Sequence, residues 1–247
     1  MKPILILAAV PRELELLIGS LTDPYHDSSA MYPVTEGLLG SKRLVCCSGG
    51  IGKANAAAAA TSLIERYHPE LLVNTGCGGA YPGSGLSVGD LAVASDETFG
   101  DEGVLAPNGW MDMKDMGLPL LSEGDRLWYN SIPLARHEAQ KAMKLAGSHG
   151  VKLTRGRFVT VSCCSGTKER GLELARRYQG VCETMEGAAV ALTALRYGIP
   201  CLEIRGISNL VEDRDLSRWD LNRAVEAAQR FVIKIIEETD RSSVHQK

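Results

Sequence analysis

Short apolar runs, each long enough for one buried strand, alternate along this chain with segments of helical period. That alternation restricts the fold to a sheet covered by helices. The run PILILAA at 3–9 is followed by PRELELLIGSL, which carries a short helix. RLVCC at 43–47 leads through a glycine turn into KANAAAAATSLIERYH, an alanine-rich helix former. A strand at 71–75 runs into glycines, and Gly89 and Asp90 precede another at 91–95. Helices are predicted near 131–146, 166–178 and 187–197, with strands at 156–163 and, after Pro200, at 201–208. A last helix covers 221–238, and the polar tail 239–247 is expected to fray. Residues 100–123, with Gly, Pro, Asp, Met111, Met113 and Met116, have no clear period and read as a long excursion able to line or cover a cleft.

The expected fold is therefore a single-domain three-layer α/β/α sandwich with a central mixed sheet over residues 1–238. Such sheets hold ligands beyond the carboxyl ends of their strands, where Glu13, the glycine turns and Asn209 fall. A chain of 247 residues can bury one full core, and 45% hydrophobic with 23% charged residues is ordinary for a soluble protein. The net charge of -3 provides no general attraction to nucleic acid or anionic membrane. No apolar run is long enough to span a bilayer. The opening apolar stretch turns acidic at Glu13 and Glu15 without a small-residue cleavage region, so it reads as a first strand of a cytoplasmic protein. The seven cysteines, Cys46, Cys47, Cys77, Cys163, Cys164, Cys182 and Cys201, include two adjacent pairs and no CxxC. They read as free thiols, with neither a disulfide framework nor a metal site expected.

Two glycine motifs fail on inspection. SGGIGKAN has Cys47 at the first glycine position of a phosphate loop and Ala54 after Lys53, while TGCGGAY has Tyr81 where a dinucleotide fingerprint needs its third glycine. No ATP or NAD cofactor is expected. Gly49, Gly50 and Gly52 serve a tight turn at least as well as a ligand; Gly76, Gly78 and Gly79, directly after a strand, suit close approach of a small ligand.

The segments PRELELL, SGGIGKANAA, LLVNTGCGGA, GLSVGDLAVA, ETMEGAAVALTALRYGIP and LEIRGISNLVEDRD resemble the purine nucleoside phosphorylase and nucleosidase superfamily across nearly the whole chain. GISNLVEDRD and the later Trp219 are most similar to its futalosine hydrolases. The resemblance implies cleavage of futalosine to hypoxanthine and dehypoxanthinylfutalosine in menaquinone synthesis, by a homo-oligomer that needs no metal. Purine nucleoside phosphorylases and 5′-methylthioadenosine/S-adenosylhomocysteine nucleosidases are the neighbouring activities.

By the same resemblance Glu13 is the general base for water, Glu186 holds the ribose diol, and Met185 offers an apolar contact beside it. Without it, Glu13 would read as a solvated helix-terminal charge and Glu186 as a cap on the following helix. Glu183 is given no catalytic role and is expected to face solvent. The superfamily's adenine-directed nucleosidases carry Asp where this chain has Asn209, whose amide suits a 6-oxopurine; a turn-stabilising Asn is the plainer reading. Gly78 is placed at the ligand, and Phe158 either stacks on it or packs in the core. Glu203 and Arg205 share a strand face and read as a structural pair or as part of the sugar site. Asp213 and Asp215 form a charged loop offset by Arg214 and Arg218, and a distal benzoate has Lys53, Arg155 and Lys168 as candidate partners. AAVPRE stands where phosphorylases carry a GDPxR-like segment, and Arg12 alone makes no phosphate cluster, which favours water as nucleophile. A nucleoside-binding protein without turnover would keep the pocket but not require Glu13 to face the sugar's C1′.

Overall fold

In the first strand, β1 (Ile4–Ala8), Ile4, Ile6 and Ala8 face one helical layer while Leu5 and Leu7 face the other. A strand covered on both sides has no polar face, which is why this run is continuously apolar. The computed structural model of the chain describes residues 2–29 and 31–244. After β1 come α1 (Glu15–Gly19), the hairpin β2 (Thr22–Asp27) and β3 (Val34–Leu39), then β4 (Lys42–Ser48), α2 (Lys53–Tyr67) and β5 (Leu71–Ala80). β6 (Leu91–Phe99) precedes two small ribbons, β7 (Gly103–Ala106) with β8 (Gly109–Asp112), and β9 (Leu121–Glu123) with β10 (Arg126–Trp128). The remainder is β11 (Ser131–Pro133), α3 (Arg136–Ser148), β12 (Leu153–Thr160), α4 (Lys168–Tyr178), β13 (Gly180–Thr184), α5 (Gly187–Arg196), β14 (Cys201–Leu210) and α6 (Leu221–Val244).

The main sheet runs β11-β6-β12-β13-β5-β1-β4-β3-β2, with β14 pairing both β5 and β6. β1 is parallel to β4 and β5, β14 is parallel to β5 and antiparallel to β6, and β13 is antiparallel to β5. The sheet is thus mixed, as expected, and β5, β14, β6, β12 and β13 pair in a closed circuit. One half of the sheet is rolled up like a small barrel and the other stays open. Helices α2 and α5 cover one face, and α1, α3 and α6 the other.

Several local expectations are corrected. Gly76, Gly78 and Gly79 do not end a strand; β5 continues through them to Ala80. Asn209 lies within β14, at an irregularity in register between Ile207 and Asn209 that sets it opposite Gly79. The β2–β3 hairpin and β13 were not predicted, because TDPYHD is largely exposed and polar and GVCET is too short to show a period. The final helix does not stop at Glu238: Asp240 accepts the Ser41 N–H (3.0 Å) and its hydroxyl, tying the helix to the β3–β4 turn. The last part of the expected tail, 245–247, lies outside the described residues. No helix among the described residues is long and apolar enough to cross a membrane.

Candidate active site

Pro11 opens a single 3-10 turn, Pro11–Glu13, that folds the Glu13 side chain back onto the chain. Its Oε2 accepts the N–H groups of Ala9 (3.0 Å) and Val10 (3.3 Å), and its Oε1 that of Cys77 (2.9 Å). With 3% of its surface exposed, Glu13 is no solvated terminal charge. Gly76 makes this approach possible, since a Cβ there would collide with Glu13 Oε1 and stand 2.8 Å from Arg205 Nη1, and its φ of 150° suits glycine alone.

Glu186 occupies the position before α5 but makes no side-chain cap. It reaches across the cleft instead: Oε1 accepts the Gly52 N–H (2.9 Å), and Oε2 lies 3.7 Å from Arg205 Nη2. Burial raises its pKa, and the Arg205 charge and the Gly52 N–H oppose that rise.

Arg205 is itself 1% exposed. Its Nε donates to Glu203 Oε1 (2.8 Å), the pair that strand alternation predicted, and Nη1 donates to the Cys77 carbonyl (3.3 Å). Burial works against its charge, but Glu203, Glu186 and Glu13 outweigh that and raise its pKa. Behind it, Glu97 of β6 accepts from the Thr160 hydroxyl (2.7 Å) and faces Glu203; burial, then the Glu203 charge, push Glu97 well above the usual carboxylate range. Burial beside Glu203 thus favours the neutral form of Glu97, and the Arg205 guanidinium opposes that shift.

At the other end, the Ser208 hydroxyl lies 2.8 Å from Asn209 Oδ1, and Nδ2 donates to the Leu210 carbonyl (3.0 Å). Gly79 lies opposite, where a Cβ would crowd Val211 at 2.8 Å and the Asn209 amide at 3.3 Å.

These groups line one cleft of about 230 Å³. It brings together Glu13, Gly78, Met185, Glu186 and Asn209, all singled out from sequence, with Arg205, which is both paired to Glu203 and part of the cleft wall. Phe158 is not among them. It is fully buried with Ala80, Ala92, Cys182 and Ile207, which come from the four other strands of the closed circuit, so its ring packs inside that circuit. Glu183 is a second correction: it is 7% exposed, lines the cleft, and accepts from the Tyr81 hydroxyl (3.0 Å), the Ser165 N–H (2.8 Å) and the Ser165 hydroxyl (2.6 Å). Tyr81 and Ser165 lie on distant segments, so no local pattern announces that role. The 100–123 excursion contributes nothing to the cleft wall; Asp101 and Glu102 grip Lys53 instead, at 2.5 and 2.7 Å. Lys53, Arg155 and Lys168 all lie off the cleft, whereas Arg214 and Trp219 line it. Burial pushes the Cys77 thiol up to about 12, so it stays protonated and is no nucleophile.

The sequence profile of the phosphorylase superfamily matches residues 3–237. This chain belongs to the phosphorylase superfamily. Among its relatives there, the futalosine hydrolase of Thermus thermophilus is 35% identical over 192 residues, which are 76% of this chain and 79% of that one. The 5′-methylthioadenosine/S-adenosylhomocysteine nucleosidase of Maridesulfovibrio salexigens is 26% identical over 245 residues, 94% of this chain and 98% of its own. In solved structures the fold recurs in the corresponding nucleosidase of Neisseria meningitidis, bound to methylthio-immucillin-A (TM-score 0.83, 23% identity, 96% of this chain and 100% of that one). A futalosine hydrolase mutant of Helicobacter pylori shares it too (TM-score 0.82, 22% identity, 96% and 100%).

Proposed function

We propose that the cleft hydrolyses the N-glycosidic bond of a 6-oxopurine nucleoside, with futalosine as substrate and hypoxanthine as the base released. The reading rests above all on one observation: the buried carboxylates Glu13 and Glu186 share a cleft with the amide of Asn209. Glu186 accepts from the ribose hydroxyls, and its charge favours the oxocarbenium-like sugar that forms as the bond breaks. Glu13 takes the proton of the attacking water. Asn209 binds the base: Nδ2 donates to a 6-oxo group and Oδ1 accepts from a protonated N7, an arrangement that adenine's 6-amino group does not match. The similarity to the Thermus thermophilus futalosine hydrolase supports the same substrate.

Water is favoured over phosphate as nucleophile because the charge of Arg205, beside the sugar carboxylate Glu186, is already offset by Glu203 (2.8 Å) and Glu186 (3.7 Å). The similarity to adenine-directed nucleosidases over 94% of the chain is the ground for a competing base preference. A panel pairing hypoxanthine and adenine nucleosides on identical sugars, futalosine included, run with and without phosphate, tests both points. Phosphate-independent release of hypoxanthine is expected. Preference for adenine would sink the base assignment, and dependence on phosphate the hydrolase assignment. Turnover of no nucleoside would leave a binding protein. We further propose a cytoplasmic homo-oligomer, supported by Val104, Leu105 and Leu118, which are 44, 81 and 55% exposed in the 100–123 excursion; mass measurement in solution tests the assembly.

A further inference from the structure

Two guanidiniums line the cleft, and they differ in kind. Arg205 is buried and bonded to Glu203 and the Cys77 carbonyl. Arg214 is exposed, and among the described residues no carboxylate lies within ion-pair distance of it. Its acidic neighbours are engaged elsewhere. Glu212 pairs with Arg218 (2.5 Å), Asp213 accepts the Lys168 N–H (3.2 Å), and Asp215 accepts the N–H (3.0 Å) and hydroxyl (2.7 Å) of Ser217. Of the two arginines in this loop only Arg218 is ion-paired, so Arg214 is left without an ion-pair partner among the described residues at the border of the cleft.

Arg214 has a platform. Its guanidinium carbon lies 5.0 Å from the ring centroid of Trp219, which also lines the cleft. A cation held over an indole keeps its polar edge available, and that edge matches the two oxygens of a carboxylate. The same cleft is also lined by Ile51 and Leu221, which offer apolar surface to a spacer between sugar and acid. Lys53, already gripped by Asp101 and Glu102, has no comparable freedom.

We propose that Arg214, seated on Trp219, is a carboxylate-recognition subsite that selects nucleosides whose sugar substituent ends in an acid, most readily an aryl acid. This rests on the nucleoside reading of the cleft and assigns a residue to the distal end of the substrate. The test compares a nucleoside bearing the acid with its methyl ester, prepared with both hypoxanthine and adenine as base, in the wild type, Arg214→Gln and Arg214→Lys.

The wild type is expected to favour acid over ester by about 10- to 100-fold in kcat/KM, the range of one charge-assisted hydrogen-bonded contact. Arg214→Gln brings that ratio close to one, chiefly through KM of the acid; Arg214→Lys, which keeps the charge and loses the planar fork, recovers part of it. Added salt lowers the ratio in the wild type and leaves it flat in Arg214→Gln. An acid-to-ester ratio already near one in the wild type, or one that Arg214→Gln leaves intact, overturns the proposal. So does stimulation by inorganic phosphate that Arg214→Gln abolishes, which would assign the guanidinium to phosphate. The ratio is read on whichever base is cleaved, so an adenine preference would sink the base assignment while the Arg214 measurement still stands or falls by itself.

Discussion

Glu13 accepts three backbone N–H groups, from Ala9, Val10 and Cys77, and an amide in its place must turn its NH₂ toward at least one of those donors. Glu13→Gln is therefore expected to lower kcat by about 10²- to 10⁴-fold through loss of the base and to cost about 1–3 kcal/mol of stability through the mismatch. Base release and denaturant unfolding of the same variant separate the two. At Asn209 the expectation is a change of preference: Asn209→Asp supplies a carboxyl able to accept from a 6-amino group, so the adenine-to-hypoxanthine ratio of kcat/KM rises by about tenfold or more. An unchanged ratio on identical sugars would remove Asn209 as the selector. Glu13, Glu186 and Asn209 were legible because their neighbours PRELELL, TMEGAA and GISN are distinctive. Glu183 was not, since its partners Tyr81 and Ser165 lie on other segments, and Phe158 was misplaced because residue type says nothing about which side of an irregular strand it takes.

At the scale of elements, the start of α5 is a junction where side chains of β6 and β14 meet a helix backbone. A Cβ on Gly187 would collide with Glu97 Oε1 and stand 2.5 Å from Glu203 Oε2. The Ala188 N–H donates to Thr160 Oγ1 (2.7 Å), so the helix cannot simply slide away. Gly187→Ala should thus destabilise the protein by about 1–3 kcal/mol, although alanine is the better helix former, and also lower kcat by displacing Glu186 beside it. A gain in the denaturant midpoint would show that the junction is looser than these contacts imply. α2, α5 and β1 were readable because an alanine-rich helix former, a small-residue helix and a short continuous apolar run are each written in residues a few positions apart. The β2–β3 hairpin and β13 were not, because long-range pairing and not a local apolar run makes them strands.

Across the whole molecule, closing five strands into a circuit draws Glu97, Thr160, Thr184 and Glu203 into one buried polar cluster. Glu97 keeps its proton in the folded protein well above the pH at which the unfolded chain loses it. The neutral form's contribution is therefore complete below the ordinary carboxylate pKa and is lost as pH rises toward the folded value, at about 1.4 kcal/mol per pH unit for one retained proton. Glu97→Gln has no such proton, so its stability relative to wild type should improve steadily with rising pH; unfolding midpoints over a pH series check the slope, and parallel curves would place the proton elsewhere. The sequence alone determined the layered α/β architecture, because strand and helix periods are written in residues a few positions apart, and resemblance supplied the identity of the principal carboxylates. Only the tertiary structure decided which charges share the cleft: Arg205 against Glu203 and Glu186, Glu183 on Tyr81, and Arg214 free over Trp219. The reason is that β5, β13 and β14 meet only when distant segments pair, and whether a charge is neutralised or left over depends on those meetings and not on its neighbours in the chain.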